Sequence, residues 1–393
     1  MGLTGTNVYP AASRRLRLGI VGGGGSGLVG KWHWTGARLS NRWELVAGAL
    51  SSNPAKAAHY GREWMLPADR TYSTYHDMAR IEGSRADGIE AVAICTPNWT
   101  HRAIAEAFMD VGIDIICDKP ITTTNEDAAA LVKRQRETAL VFAVTHPYAF
   151  HSMVRQARDM INSGAIGQVR QILVEYAQEW ATEHDDPESG SLAWRRDPAK
   201  VGRASAAADI GTHALHLIEF VSIQNVQQLR ADFHVCGAPK AMEDTAFLGL
   251  RFRHGVPGSM WITQAAPGNY CGLRFRIYGR RGGLEWDQEA PEQLMYQPLN
   301  EPRQTIVRGH GSGVLPSAER MAQLPRGHGE ALSDAWSNLY TEMAIAVEAR
   351  RNGRTVPKGL IAVPNVDDGA RGVRFFNAAA DSHEAGGVWV DLD

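Results

Sequence analysis

The 393-residue sequence has few cysteines, no long apolar run and no surplus of charge of either sign. Its 4 cysteines, Cys95, Cys117, Cys236 and Cys271, form no CxxC or CxxH pair. That excludes zinc-ribbon spacing and a disulfide framework, predicts no metal site, and points to a reducing, cytoplasmic compartment. Lys+Arg number 41 against 43 Asp+Glu, a net charge of −2. There is thus no basic footprint for nucleic acid and no polybasic face for a membrane. No stretch approaches the ~20 apolar residues that span a bilayer. The pair Arg14-Arg15 meets a glycine turn too soon to lead a twin-arginine export signal. Residues 1–14 are expected to be a disordered lead-in.

With 44% hydrophobic residues there is ample material for real cores. Through residue 146 the chain alternates strand and helix patterns, as a doubly wound parallel sheet requires. Strands are predicted at 16–21, 45–50, 91–95, 113–117 and 140–145, and helices at 29–39, 54–63, 74–81, 101–111 and 125–137. Beyond, a helix at 153–163 and another at 208–220 accompany long alternating strands at 169–180, 229–235, 245–252, 259–264 and 273–278. Consecutive strands with turns such as His254-Gly255 and Gly282-Gly283 imply a mostly antiparallel sheet. A Gly-, Pro- and Arg-rich surface excursion at 298–325 precedes helices at 333–351 and 367–380. The fold class is therefore α/β, with an N-terminal domain over 15–146 and an α+β domain over 147–393. The last helix is a candidate to pack back on the first domain.

The first strand runs straight into Gly22-Gly23-Gly24-Gly25-Ser26-Gly27, and a helix follows. In that context the glycines read as a dinucleotide fingerprint, with Gly22, Gly24, Gly25, Ser26 and Gly27 around a pyrophosphate. The phosphates would rest on N–H groups at the helix N-terminus. The second strand ends in Ser51-Ser52-Asn53, without the acidic residue that holds adenosine ribose hydroxyls in NAD-restricted enzymes. Ser51 and Ser52 are neutral hydrogen-bonders and Lys56 suits a 2′-phosphate, so NAD and NADP both stay open. Ser52 or Asn53 before Pro54 equally reads as a helix N-cap. Thr96-Pro97-Asn98 and His101, after the third strand, are candidates for the nicotinamide half.

The fourth strand delivers Asp118-Lys119-Pro120, placing a lysine at the mouth of a low-dielectric cleft where proton transfer is favoured. In the second domain Asp209 and His213 stand at i, i+4, spacing that lets a carboxylate orient an imidazole and raise its basicity. His216 lies one turn on from His213.

Together, Gly22–Gly30 with His33, Thr96-Pro97-Asn98 with His101, Asp118-Lys119-Pro120, and Asp209-Ile210-Gly211-Thr212-His213 resemble the Gfo/Idh/MocA family. Tyr278-Gly279 and Gly282-Gly283-Leu284-Glu285 resemble a turn of that family's large sheet. The likeness extends over nearly the whole chain from about Arg15. It implies a Rossmann domain, a large open sheet, and an NAD(P)-dependent dehydrogenase of sugars, sugar derivatives or cyclitols.

On that likeness Lys119 and His213 handle the proton of a substrate hydroxyl, either being the formal base, and Asp209 orients His213. Asp118 and Lys119 also border the cofactor. The family's usual Glu-Lys-Pro appears as Asp118-Lys119-Pro120, and His216 stands where a final Asp is usual. Substrate-facing positions are His146, Tyr148, His151, Trp180, Trp194, Arg195 and His216. Trp180 equally suits packing beneath a loop. A homodimer or homotetramer is expected, through a sheet face carrying Trp261, Phe275 and Tyr278.

Two alternatives share the fold. An NAD-dependent glycosidase would release aglycone without net NADH. A nucleotide-sensing regulator need not keep both Lys119 and His213.

Overall fold

The computed structural model describes residues 9–25, 28–183, 197–311 and 313–392. Its first sheet is all parallel, in the order β2-β1-β3-β4-β5. The strands are β1 (Leu16–Gly22), β2 (Trp43–Ala49), β3 (Ala91–Cys95), β4 (Asp114–Cys117) and β5 (Phe142–Val144). Helices α1 (Leu28–Ser40), α2 (Pro54–Glu63), α3 (Tyr75–Ser84), α4 (His101–Met109) and α5 (Asn125–Thr138) connect them. Ala91 to Ile94 are fully buried, as a central strand covered on both faces must be. Strand order reverses between β1 and β3, and ligands of doubly wound sheets bind outside the strand ends at that switch point.

Residues 336–371 belong to this same compact unit. The sequence assigns them to the second domain, but their anchors are here. Trp43 Nε1 donates to the Tyr340 carbonyl at 2.9 Å, and Arg350 Nε lies 2.8 Å from the buried Asp114 carboxylate. Of the lead-in expected to be disordered, residues 1–8 fall outside the described residues. Tyr9 and Arg14 are tied down: Tyr9 donates to Glu342 at 2.6 Å, and Arg14 forms a two-pronged pair with Glu90 at 2.7 Å.

The second unit holds residues 146–335 and 372–393, and its sheet among the described residues has nine strands in the order β13-β12-β11-β10-β6-β9-β8-β7-β14. Its elements open with α6 (Ser152–Asn162), β6 (Val169–Ala177), the short α7 (Pro198–Val201) and α8 (Thr212–Ser222). Strands β7 (Val226–His234), β8 (Thr245–Phe252), β9 (Pro257–Thr263), β10 (Gly272–Gly279) and β11 (Gly282–Asp287) follow. Then come β12 (Gln293–Pro298), β13 (Gln304–Val307) and β14 (Val390–Asp391). Among the described residues only β6 and β9 pair in parallel in this sheet.

Alternation decides which side chains of this sheet face inward. Ile172, Val174 and Tyr176 of β6 are buried, and the residues between them are half-buried. Phe275 points into this core at 1% exposure, whereas Tyr278 is 42% exposed, so the apolar set expected on the outer face loses Phe275 and keeps Tyr278. The helix predicted over 208–220 begins as a π-turn, Ala207–Gly211, before continuing as α8. Such one-turn π segments recur at functional sites because they re-aim side chains within a helix.

Candidate active site

At the switch point the glycine turn is built by contact. A Cβ on Gly30 would lie 2.4 Å from the Gly23 Cα, so only glycine lets α1 approach β1 this closely. A Cβ on Gly24 would fall 2.3 Å from the Tyr60 ring and 2.5 Å from the Leu50 carbonyl. Gly25 has φ of +73°, a conformation L side chains rarely adopt. Ser26 and Gly27 lie outside the described residues. The turn thus leads bare backbone into a helix N-terminus, which suits a pyrophosphate. Tyr60 of α2, which the sequence did not single out, stands against this turn.

Beside it, Asn53 is the N-cap of α2, accepting from Lys56 N–H at 3.1 Å, with Pro54 at the first helical position. The Ser51 hydroxyl accepts from Asn53 N–H at 3.2 Å, and Ser52 and Lys56 are exposed. Thr96 adjoins Gly22, with its methyl 2.8 Å from where a Gly22 Cβ would sit. Pro97 and Asn98 begin the short 3-10 turn that follows β3. His101 is fully buried, with Nε2 2.7 Å from the Thr96 carbonyl and Nδ1 3.0 Å from the Pro120 carbonyl. Burial lowers its pKa, and the neutral ring donates to one of these carbonyls while lying against the other, between the loops after β3 and β4.

Asp118 and Lys119 close β4. The buried His33 sets Nδ1 2.7 Å from the Tyr340 hydroxyl and Nε2 3.9 Å from Asp118 Oδ1. Thr145 donates to the same carboxylate. Burial raises the Asp118 pKa, but His33 and Lys119 outweigh it and hold it down at about 2. The residue is therefore an anion, adjacent in sequence to a half-buried lysine.

In the second unit, α8 and the segment entering α6 bring histidines and tyrosines together. The His146 ring stacks on His216, centroids 4.2 Å apart and 8° from parallel, and meets His213 edge-on at 5.4 Å. Tyr148 also meets His213 edge-on, at 4.9 Å. Its hydroxyl lies 2.6 Å from that of Tyr176, and both approach the Cys271 thiol, at 3.6 and 3.3 Å. Burial pushes both phenols well above the ordinary tyrosine range. Burial, then Arg155 and Arg158, pushes His216 down to about 3, so its imidazole is neutral. Asp209, in the π-turn, accepts from Gln264 Nε2 at 3.0 Å.

Other candidates lie elsewhere. His151 turns into the core against Trp286, ring centroids 5.4 Å apart, and burial lowers its pKa to about 4. Trp180 is 40% exposed and donates to Gln178 at 3.0 Å. Trp194 and Arg195 lie outside the described residues. Sequence reasoning missed Tyr176, Gln264 and Cys271. Tyr176 was recoverable, since it falls on the inward register of β6; Gln264 and Cys271 carry no local signal.

Comparison with known proteins gives the chain's family. Residues 16–146 match the family described as "Oxidoreductase family, NAD-binding Rossmann fold", and residues 154–285 match the "GFO/IDH/MocA C-terminal domain". A crystal structure of an oxidoreductase from Sinorhizobium meliloti is 41% identical, over 96% of this chain and 100% of that one, with a TM-score of 0.87. An inositol dehydrogenase homolog from Azotobacter vinelandii, complexed with NADH and myo-inositol, is 32% identical, with coverages of 96% and 98% and a TM-score of 0.88. The levoglucosan dehydrogenase of Pseudarthrobacter phenanthrenivorans is 26% identical over 96% of this chain and 98% of its own length. A parallel sheet whose glycine turn fits a dinucleotide, followed by a second unit built on a large, mostly antiparallel sheet, has the order of this family's two domains: the chain is a member of the GFO/IDH/MocA oxidoreductases, with an NAD-binding Rossmann domain.

Proposed function

We propose that this enzyme oxidises a secondary hydroxyl of a neutral sugar, sugar derivative or cyclitol, with Lys119, His213 and Asp209 as its catalytic residues. The bound nicotinamide, of NAD or NADP, supplies the hydride acceptor. Gly22, Gly24, Gly25, Ser26 and Gly27 hold the pyrophosphate; Ser51, Ser52 and Lys56 take the adenosine ribose end. Thr96, Pro97, Asn98 and Asp118 border the nicotinamide half, with His101 supporting their loop from behind.

His213 accepts the hydroxyl proton, and the Asp209 carboxylate stabilises the resulting imidazolium. The Lys119 ammonium hydrogen-bonds the same oxygen and offsets its developing charge, an effect that grows as water is excluded. His146, Tyr148 and His216 supply ring faces and hydrogen-bonding edges for a polyhydroxylated ring, joined by Tyr176, with Trp180 as a further substrate contact.

The observation that carries this reading is the cluster of His146, Tyr148, Tyr176 and His216 around His213, polar and aromatic at once. It is supported by relatives named for myo-inositol and levoglucosan. The test is a panel of cyclitols, anhydrosugars and aldoses with NAD+ or NADP+, followed by the absorbance of the reduced nicotinamide. Reduction on at least one neutral polyol is expected. Release of aglycone from glycosides without net NADH would replace the dehydrogenase with a glycosidase.

A homodimer or homotetramer assembled through the outer face of the large sheet completes the reading. Phe247 (53% exposed) and Tyr278 (42% exposed) supply apolar contact there. A monodisperse monomer in light scattering at micromolar concentration would contradict it. All 4 cysteines are free, which favours a cytoplasmic setting. No helix among the described residues is long and apolar enough to cross a membrane.

A further inference from the structure

Asp209 is held from outside its own helix. Gln264 follows β9 directly and is 3% exposed. Its backbone leaves it little freedom: its N–H donates to the Asp244 carbonyl at 2.8 Å, and its carbonyl accepts from Ala181 N–H at 2.9 Å. With both backbone groups pinned, the side-chain amide reaches Asp209 Oδ2 at 3.0 Å. The residue before Asp244 grips the other end of the same turn. Glu243 Oε1 accepts from Ser205 N–H at 2.7 Å and Ala207 N–H at 3.1 Å, where the chain enters the π-turn. Asp244 is itself fixed by Cys236 N–H, Gly237 N–H, Lys240 and the Thr245 hydroxyl. One short connection thus holds both the backbone entering the turn and, through Gln264, the carboxylate the turn carries.

We propose that Gln264 is a positioning residue for the reaction, fixing the Asp209 carboxylate in the orientation that serves His213, with Glu243 holding the backbone of the turn. This rests on the reading of Asp209 and His213 given above. The choice of an amide has a physical logic. A lysine or arginine at this point would neutralise Asp209 and remove the negative charge that stabilises an imidazolium. The uncharged Nε2–H fixes one carboxylate oxygen and leaves the charge available, as donors behind catalytic and metal-bound groups often do.

The test replaces Gln264 by methionine, which keeps the volume and removes the donor. A hydrogen bond to a charged group corresponds to roughly a tenfold to hundredfold effect when lost. The expected result is that fall in kcat, with KM within about threefold and NADH affinity within about twofold. The His213 imidazole 15N resonances, assigned by their loss in His213→Gln, should shift, and the acid limb of the pH–rate profile should move to lower pH. A purely structural role would lower Tm without these last two changes. Should the methionine variant not fold, Gln264→Asn carries the same test, since it keeps a polar amide but withdraws the donor from Asp209.

Wild-type kcat, resonances and pH profile in Gln264→Met, while His213→Gln is inactive, would overturn the inference and leave the catalytic reading intact. Full turnover in His213→Gln would overturn that reading and the inference with it.

Discussion

His146 and His216 lie face to face, their ring centroids 4.2 Å apart and their planes 8° from parallel, beside His213. His216 stands one helical turn on from His213. With its pKa near 3 it is neutral at every working pH, so it offers hydrogen-bonding nitrogen and a ring face without charge.

Replacing His216 by Asn should therefore affect binding more than chemistry. Loss of one positioned hydrogen bond and the stacked ring predicts KM raised about tenfold and kcat within about threefold. The pH–rate profile between pH 5 and 9 should keep its shape. Steady-state kinetics across that range checks both; a displaced limb would mean that His216 titrates during turnover.

Glu243 makes stability fall with rising pH. Burial raises its pKa from 4.5 to about 7, against the lowering effect of the N–H groups of Ala207 and Ser205. The folded state thus binds the proton more tightly than the unfolded chain. The stabilisation this gives is fully present below the unfolded value near 4.5 and is lost as pH rises through about 7. The cost at pH 8 is on the order of 3 kcal/mol. Glu243→Gln keeps an oxygen acceptor without the charge, so it should raise stability at pH 8 and change it little at pH 4. Urea unfolding at the two pH values measures the difference; equal effects at both would refute it.

Glu82 tests the first domain's buried ion pair. It is 2% exposed and accepts from Arg70 Nε at 3.0 Å, the Tyr72 hydroxyl at 2.8 Å and Ile89 N–H at 3.1 Å. Glu82→Leu leaves the guanidinium of Arg70, itself 6% exposed, with only the Asp87 carboxylate at 3.8 Å and the Asp87 carbonyl at 3.3 Å, and should cost about 3 kcal/mol. The double variant Arg70→Met/Glu82→Leu should recover much of that loss in chemical denaturation.

Gly30→Ala should strike nucleotide binding. Its new methyl would meet the Gly23 backbone at 2.4 Å, and backbone cannot swing aside as a side-chain tip can. The shifted turn should weaken NADH binding by about tenfold or more, on the scale of 1.4 kcal/mol per decade. Fluorescence titration of NADH reads this directly, and unaltered affinity would show that the turn tolerates the displacement.

Local pattern made much of this molecule legible. The parallel sheet was readable because Ala91–Cys95 and its neighbours are apolar runs separated by helical periodicity and turn chemistry. The glycine turn was readable because each departure from a side chain there has a steric cause, as between Gly23 and Gly30. What stayed hidden depends on contacts distant in the chain. Nothing around Tyr340 announces its hydrogen bond to His33, 307 residues away. The turn carrying Asp209 reads as an α-helix by periodicity, and its π geometry comes with anchoring by Glu243 and Gln264. His101 was expected at the nicotinamide half because it follows the third strand, and His151 at the substrate because it lies just past the first domain's last strand; both are buried, His101 against carbonyl oxygens and His151 against Trp286.

The most direct test is turnover of Lys119→Ala on the polyol that the wild-type enzyme oxidises, with NADH affinity measured on the same preparation. If the lysine stabilises the developing charge on the substrate oxygen, kcat should fall by about 10²-fold or more while NADH binding stays within about threefold. Wild-type turnover in Lys119→Ala would contradict the proposed chemistry.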